Sequence, residues 1–262
     1  MLLRAECNIQ LELEETTPLI LMLRPRSGAS QWVQRDKFLF SLSVPVIEYT
    51  DSYGNLCQRL TAPAGHFDIQ TSCEVETAET MDEEPGAGFV MVQDLPEDVL
   101  TYLLPTRYCE SDRFTDLTLE VVAGKGLGWQ QVDGITQWIR ENVAYEPDKG
   151  ESLLTADEVR QQEHGVCRDM AHLGIAMCRS ISIPARLVVG YLHELTPMNM
   201  HAWFEAFVGN RWYAFDASQP SLTGGRIAIA YGRDAVDVPV YHLFGPLPLT
   251  GDMQVSVTCL DS

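Results

Sequence analysis

The chain has 262 residues, 45% hydrophobic and 21% charged, with Gly and Pro spread along its length; this excludes wholesale disorder and suits one large globular unit or two ordinary ones. Eighteen Lys and Arg against 37 Asp and Glu leave a formal charge of −19, which repels a phosphate backbone and excludes nucleic acid as an expected partner. The seven cysteines form no Cys-x-x-Cys pair or repeated spacing, so reduced thiols in a cytoplasm are expected rather than a disulfide framework or zinc site.

At the N-terminus no basic region precedes a long apolar stretch, and residues 19–23 are too few to span a bilayer, so neither an export signal nor a membrane anchor is expected. Strand signals dominate the first hundred residues. Ile9, Leu11 and Leu13 alternate with Gln10, Glu12 and Glu14; Phe38, Phe40, Leu42 and Val44 share one face; Phe67, Ile69, Thr71, Cys73 and Val75 oppose the polar residues between them. This period of two belongs to half-buried strands. Residues 51–55, DSYGN, are turn chemistry, with Gly54 and Asn55 tolerant of positive φ. Together these patterns predict an all-β, sandwich-like unit.

Residues 77–88 carry almost no apolar side chains and read as a solvated loop or linker, after which a boundary near residue 110 divides the chain into 1–110 and 111–262. In the second part, residues 114–123 fit helix or strand equally. Val132, Ile135, Ile139 and Val143 recur at helical spacing, and Thr155 with Glu158 makes a capping box that opens a further helix.

The segment GVCRDMAHLGIAMCRS, residues 165–180, reads as a helix with Cys167 in its first turn and Pro184 beyond its end. Backbone N–H groups and the positive end of the helix dipole converge there, a setting that favours a thiolate and can face a developing oxyanion. Cys7, Cys57, Cys73, Cys109, Cys178 and Cys259 read as small buried hydrophobes. Farther on, MHAWFEAFVGNRWYAFDAS, residues 200–218, is a hairpin of two aromatic-rich strands around a Gly209-Asn210 turn. Pairing Val208 with Arg211 puts His201 and Asp216 on one face as diagonal neighbours, about 7–8 Å apart at the backbone. An imidazole and a carboxylate bridge that distance, and a one-residue slip would separate them. Cys167 as nucleophile, His201 as base and Asp216 as orienting acid form the constellation a thiol acyl-transfer site needs.

These residues, with IPAR at 183–186 and GY at 190–191, make the chain resemble the transglutaminase-like superfamily, and RPR at 24–26, DSYGN at 51–55 and GRDAVD at 232–237 resemble its bacterial branch. The resemblance covers nearly the whole chain. It implies an α+β fold: a papain/transglutaminase-like core, with the nucleophile helix packed on an antiparallel sheet, preceded by a β-rich N-terminal domain. By the spacing of papain-type enzymes, Gln161, six residues before Cys167, is a candidate oxyanion-hole side chain and equally a surface residue. Ala217-Ser218 departs from the Pro-Thr common in the family. Arg186 and Tyr191 match family positions that packing would explain as well.

His164 and His172 flank Cys167, but no zinc-type spacing accompanies them and no metal or cofactor is expected; His172 reads as a structural histidine. Trp203 and Trp212 share the His201 face and read as core. The expected function is cysteine-dependent acyl transfer on a peptide or protein substrate through a thioester, ending in hydrolysis. Transfer to an amine, as in a transglutaminase, and a catalytically silent binding module are the alternatives.

Overall fold

The computed structural model describes residues 1–28, 30–147 and 152–261. Six strands come first: β1 (Leu2–Leu13), β2 (Thr17–Arg24), β3 (Gln31–Phe40), β4 (Val46–Thr50), β5 (Leu56–Ala62) and β6 (Gly65–Thr77). After a long connection follow α1 (Thr115–Val121), α2 (Trp129–Asn142), β7 (Ala144–Tyr145), α3 (Ala156–Gln162), β8 (His164–Gly165) and α4 (Cys167–Ser180). The chain closes with β9 (Ala185–Leu192), β10 (His201–Val208), β11 (Arg211–Phe215), β12 (Arg226–Gly232), β13 (Tyr241–Leu243) and β14 (Thr250–Cys259). The fold is thus mixed α and β. No helix of the described residues is long and apolar enough to cross a membrane.

Among the described residues there are three four-stranded antiparallel sheets, ordered β14-β1-β6-β3, β13-β2-β5-β4 and β11-β10-β9-β12, and a parallel pair, β7-β8. The alternation read from sequence is what builds the first two. In β1, Leu3, Ala5, Cys7, Ile9, Leu11 and Leu13 are buried while Arg4, Glu6, Asn8 and Gln10 are exposed, and Phe67, Ile69 and Val75 of β6 and Leu19 and Leu21 of β2 join the same apolar cluster. Both sheets are completed from the far end of the chain: β14 pairs along β1 and β13 along β2.

Several local expectations change. β3 ends at Phe40 and Leu42 is exposed, so Leu42 does not share the face of Phe38 and Phe40, whereas Val44 packs with them against the same apolar cluster. The ambiguous stretch 114–123 contains helix α1. Cys259 is exposed rather than buried, whereas Cys7, Cys57, Cys73, Cys109 and Cys178 are buried as free thiols. Residues 77–88 are more than a solvated linker. Ala78 accepts a backbone hydrogen bond from Gly225, Ala87 from Trp129 and Gly88 from Gly209, so the polar segment is strapped along the third sheet by its main chain.

The third sheet positions the site. Its face of Ala202, Phe204, Ala206 and Val208 is buried in the main apolar cluster, against α4. Helix and strand approach closely because Gly174 has no side chain: a Cβ there would stand 2.6 Å from the Phe204 ring. Trp129 of α2 covers Tyr213 and Phe215 of β11 at ring separations of 4.9 and 4.8 Å. The β10–β11 turn uses Gly209 and Asn210 at φ 56° and 64°, the left-handed pair that a tight hairpin requires.

Two side-chain amides lock the first half onto β12. Gln31 donates to the Ala228 carbonyl and accepts from the Ala228 N–H, both at 2.8 Å. Asn55 does the same with Tyr231, again at 2.8 Å each way. Each amide mimics a strand edge and satisfies buried backbone that would otherwise be costly to leave unpaired. The Gly174 contact yields a direct expectation. Gly174→Val forces the rigid Phe204 ring aside, and urea denaturation should show a loss of about 1–3 kcal/mol.

Candidate active site

Cys167 is the first residue of α4. The helix starts there because Asp169, fully buried, accepts the Val166 N–H at 3.2 Å through Oδ2, while Arg168 Nε donates to its Oδ1 at 3.1 Å. A carboxylate in the first turn satisfies an orphan donor and suits the positive end of the dipole. The Cys167 side chain is half-buried. Burial pushes the Cys7 thiol up to about 11 and those of Cys73 and Cys109 up to about 12, and raises Cys57 and Cys178 too; those thiols are held neutral and inert.

His201 opens β10 and Asp216 follows β11. The hairpin has the register read from sequence, Val208 opposite Arg211 and Phe204 opposite Phe215, and it brings His201 Nε2 to 2.7 Å from Asp216 Oδ2, with both side chains buried. The ring nitrogen left over, Nδ1, is buried with no directed hydrogen bond among the described residues. It is the atom available to Cys167. Burial works against a charged imidazole here, but the bond to Asp216 and the interaction with the Cys167 thiol outweigh it and raise His201 to about 9. Burial likewise disfavours the Asp216 carboxylate, yet His201, Arg226 and Ser218 hold it well below the usual range. A base oriented by an acid beside a thiol at a helix N-terminus is equipped for nucleophilic catalysis.

Of the further groups around Asp216, only Ser218 was reached from sequence, as a departure from the family's Pro-Thr pair. Ser218 donates to Oδ1 from its N–H at 3.0 Å and its hydroxyl at 2.7 Å, so the Ala217-Ser218 pair closes the turn with a hydroxyl of its own. Arg140 of α2 donates to the Asp216 carbonyl at 3.0 Å. Arg226 Nη1 stands 2.9 Å from Oδ2, with both side chains 2% exposed. The sequence signal for Arg226 was a lone charge heading a fully buried apolar strand. Tyr145, paired with Gly165 through β7 and β8, lies near enough that burial first, then the charges of Cys167 and Asp216, push its phenol up to about 12.

Gln161 is not brought to the site. It is exposed on α3 and donates to Asp157 at 2.8 Å, because a helix separated from Cys167 by a turn and β8 presents that position to solvent. His164 pairs instead with Glu146 at 3.5 Å. Trp203 is buried and stacks on His201 at 6.0 Å, walling the imidazole as well as filling space. Trp212 is half-buried and carries the Arg186 guanidinium on its ring at 4.2 Å; Arg186 also pairs with Glu205 at 2.6 Å. Tyr191 is in the core.

His172 faces away from this chemistry. It stacks on Tyr108 at 5.4 Å, lies 3.2 Å from the Leu154 carbonyl through Nδ1, and accepts the Ala235 N–H at Nε2. Those partners require the neutral ring with its proton on Nδ1.

Comparison with known proteins follows the same outline. Residues 115–217 match the transglutaminase-like superfamily. A crystal structure of a "putative cysteine protease" from Cytophaga hutchinsonii is 32% identical, covers 100% of this chain and 91% of its own, and superposes with a TM-score of 0.91. An uncharacterized protein of Mycobacterium leprae is 25% identical over 253 residues, 91% of this chain and 90% of the relative.

Two histidines shape the pH dependence of stability. Burial, against the pull of Asp234 and Asp169, lowers His172 to about 4, so the unfolded chain binds a proton near pH 6.5 that the folded one refuses. Stability should fall from pH 6.5 toward pH 4.5, by up to about 3 kcal/mol if extended to pH 4. His201, raised to about 9, gives the opposite slope: its contribution is complete below pH 6.5 and is lost as pH rises to 9. Denaturant titrations across this range should show a maximum near pH 6.5, and His172→Asn should flatten the acid limb alone.

Proposed function

Because the chain belongs to the transglutaminase-like superfamily, we propose that it is a cysteine-dependent acyl-transfer enzyme acting on peptide or other amide bonds, with water as the usual acceptor. The observation that carries this is the buried 2.7 Å bond from His201 to Asp216, with the ring's other nitrogen left for a cysteine at a helix N-terminus. The similarity to a chain named a "putative cysteine protease" supports hydrolysis of peptide bonds. We read residues 1–110 as a β-sandwich domain that carries the core, 111–262, with strands β13 and β14 returning to it.

In this reading His201 holds the proton at neutral pH and Cys167 Sγ attacks the amide carbonyl carbon. The carbonyl oxygen becomes an oxyanion facing the N–H groups of the first turn of α4, which have no intrahelical partner. Collapse breaks the C–N bond, the proton on His201 passes to the leaving amine, and a thioester remains. His201 then takes a proton from water as it attacks the thioester. The acid leaves, and the proton returns to the Cys167–His201 pair. Asp216 keeps the ring oriented throughout. An amine in place of water would make the same thioester a transamidation intermediate.

Iodoacetamide labelling with mass mapping tests this first. At pH 7, Cys167 should react roughly tenfold or more faster than exposed Cys259; His201→Ala should abolish that advantage, and Cys167→Ala should leave only slow labelling. Equal rates at Cys167 and Cys259 would return the protein to a binding role.

A further inference from the structure

One oxygen of Asp216 serves two cations. His201 Nε2 is 2.7 Å from Oδ2 and Arg226 Nη1 is 2.9 Å from the same atom, so the imidazole and the guanidinium lie within about 6 Å of each other, the range in which one charge governs another's titration. The arginine is held for this position. Its Nε donates to the Thr223 carbonyl at 3.1 Å, and its guanidinium lies over the Trp203 ring at 5.2 Å, the same indole that stacks on His201. Nη1 meets Oδ2 off the axis of a directed hydrogen bond, and Nη2 has no hydrogen-bond partner among the described residues.

A structural arginine usually justifies its burial with a full set of hydrogen bonds, because taking the ion out of water is costly. Arg179 in this chain does so, donating to the carbonyls of Ala185, Leu104 and Arg233. Arg226 does not: among the described residues its only partner besides a backbone carbonyl and an aromatic face is Asp216. The off-axis contact matters chemically. It supplies charge to Oδ2 while leaving the lone pair that His201 uses. With Cys167 ionised and His201 protonated, the four groups sum to zero charge; without Arg226 they carry one net negative charge, inside a chain already at −19.

We propose that Arg226 is a positioning residue of the triad whose buried charge keeps Asp216 ionised and tempers the proton affinity of His201, so that the imidazolium can release its proton to a leaving amine. This rests on the acyl-transfer reading above. Asp216 alone would overbind the proton on His201: general acid catalysis is most effective when the acid's affinity is near the working pH, and a buried carboxylate with no second cation pulls it higher. The charged and titratable groups facing this cluster are Cys167 from α4, Asp216 after β11 and Arg226 from β12. Tyr145 from β7 acts on Cys167 and Asp216, and Arg140 from α2 reaches the Asp216 carbonyl. Of these, Arg226 alone sets a cation against the oxygen that accepts from His201.

The test compares the full-length wild type with Arg226→Gln, Arg226→Met and Arg226→Lys, each checked for folding by circular dichroism. Alkylation of Cys167 by iodoacetate is followed from pH 6 to pH 10. The anionic reagent reacts faster beside an imidazolium, so the alkaline limb reports His201, and NMR titration of its ring protons reads the same group directly. The neutral variants should move that limb up by about one pH unit, a tenfold gain in proton affinity, and Arg226→Lys should move it less than either. Two neutral variants are included so that one that fails to fold does not end the test. A limb that stays put in the folded neutral variants, or that moves equally in Lys and Gln, overturns the assignment, and it does so while selective labelling of wild-type Cys167 still supports the enzyme. Should wild-type Cys167 label no faster than Cys259, the enzyme reading fails, and the His201 resonances still decide the role of Arg226.

Discussion

A carboxylate with 3% of the residue exposed, as at Asp216, has to be compensated where it sits, and the third sheet is arranged around that need. Isolated in a low-dielectric interior it would take up a proton and cease to orient a base. Instead it receives His201 from β10, the Ser218 N–H and hydroxyl from the following turn, and the Arg226 charge from β12. Its own carbonyl holds Arg140 of α2. Four separate stretches of chain therefore converge on one residue. Their relative placement is specified by electrostatics more tightly than apolar packing alone would specify it.

The position of Cys167 depends on a second set of contacts, at the two faces of α4. Asp169 starts the helix at Cys167, Gly174 lets it sit against Phe204, and His172 ties its middle to the 234–235 turn. That turn also meets the first half of the chain. The Arg233 guanidinium pairs with Asp237 at 2.8 Å and lies 6.0 Å from the Tyr53 ring, while Asn55 caps β12 at Tyr231. Residues 51–55 and 232–237, far apart in sequence, are the two halves of one joint. Both hold the end of β12, the strand that begins at Arg226.

Much of this was legible beforehand. Alternation at period two read out β1 and β6 correctly because each has one wet face and one dry one. The helical positions Val132, Ile135 and Ile139 are all fully buried, and the Thr155–Glu158 box caps α3 as its spacing implies. Where local pattern misled about the 77–88 segment, distant partners were responsible. That polar segment was held by main-chain bonds to Gly209 and Gly225 that composition does not reveal. Gln161 illustrates the limit of borrowed spacing: six residues before the cysteine says nothing of which way a helix faces.

The sequence by itself determined the place of Cys167 at a helix N-terminus and the pairing of His201 with Asp216, because both follow from short-range geometry: a helix cap and a tight hairpin whose register a Gly-Asn turn dictates. Only the tertiary structure decided that Arg226 shares Asp216 with His201, that β13 and β14 complete the first two sheets, and that two side-chain amides fasten those sheets to β12. These contacts join residues up to 256 positions apart, as Leu3 of β1 and Cys259 of β14 are, chosen by which buried charges and backbone groups had to be satisfied once the layers closed. No periodicity records a partner that far away.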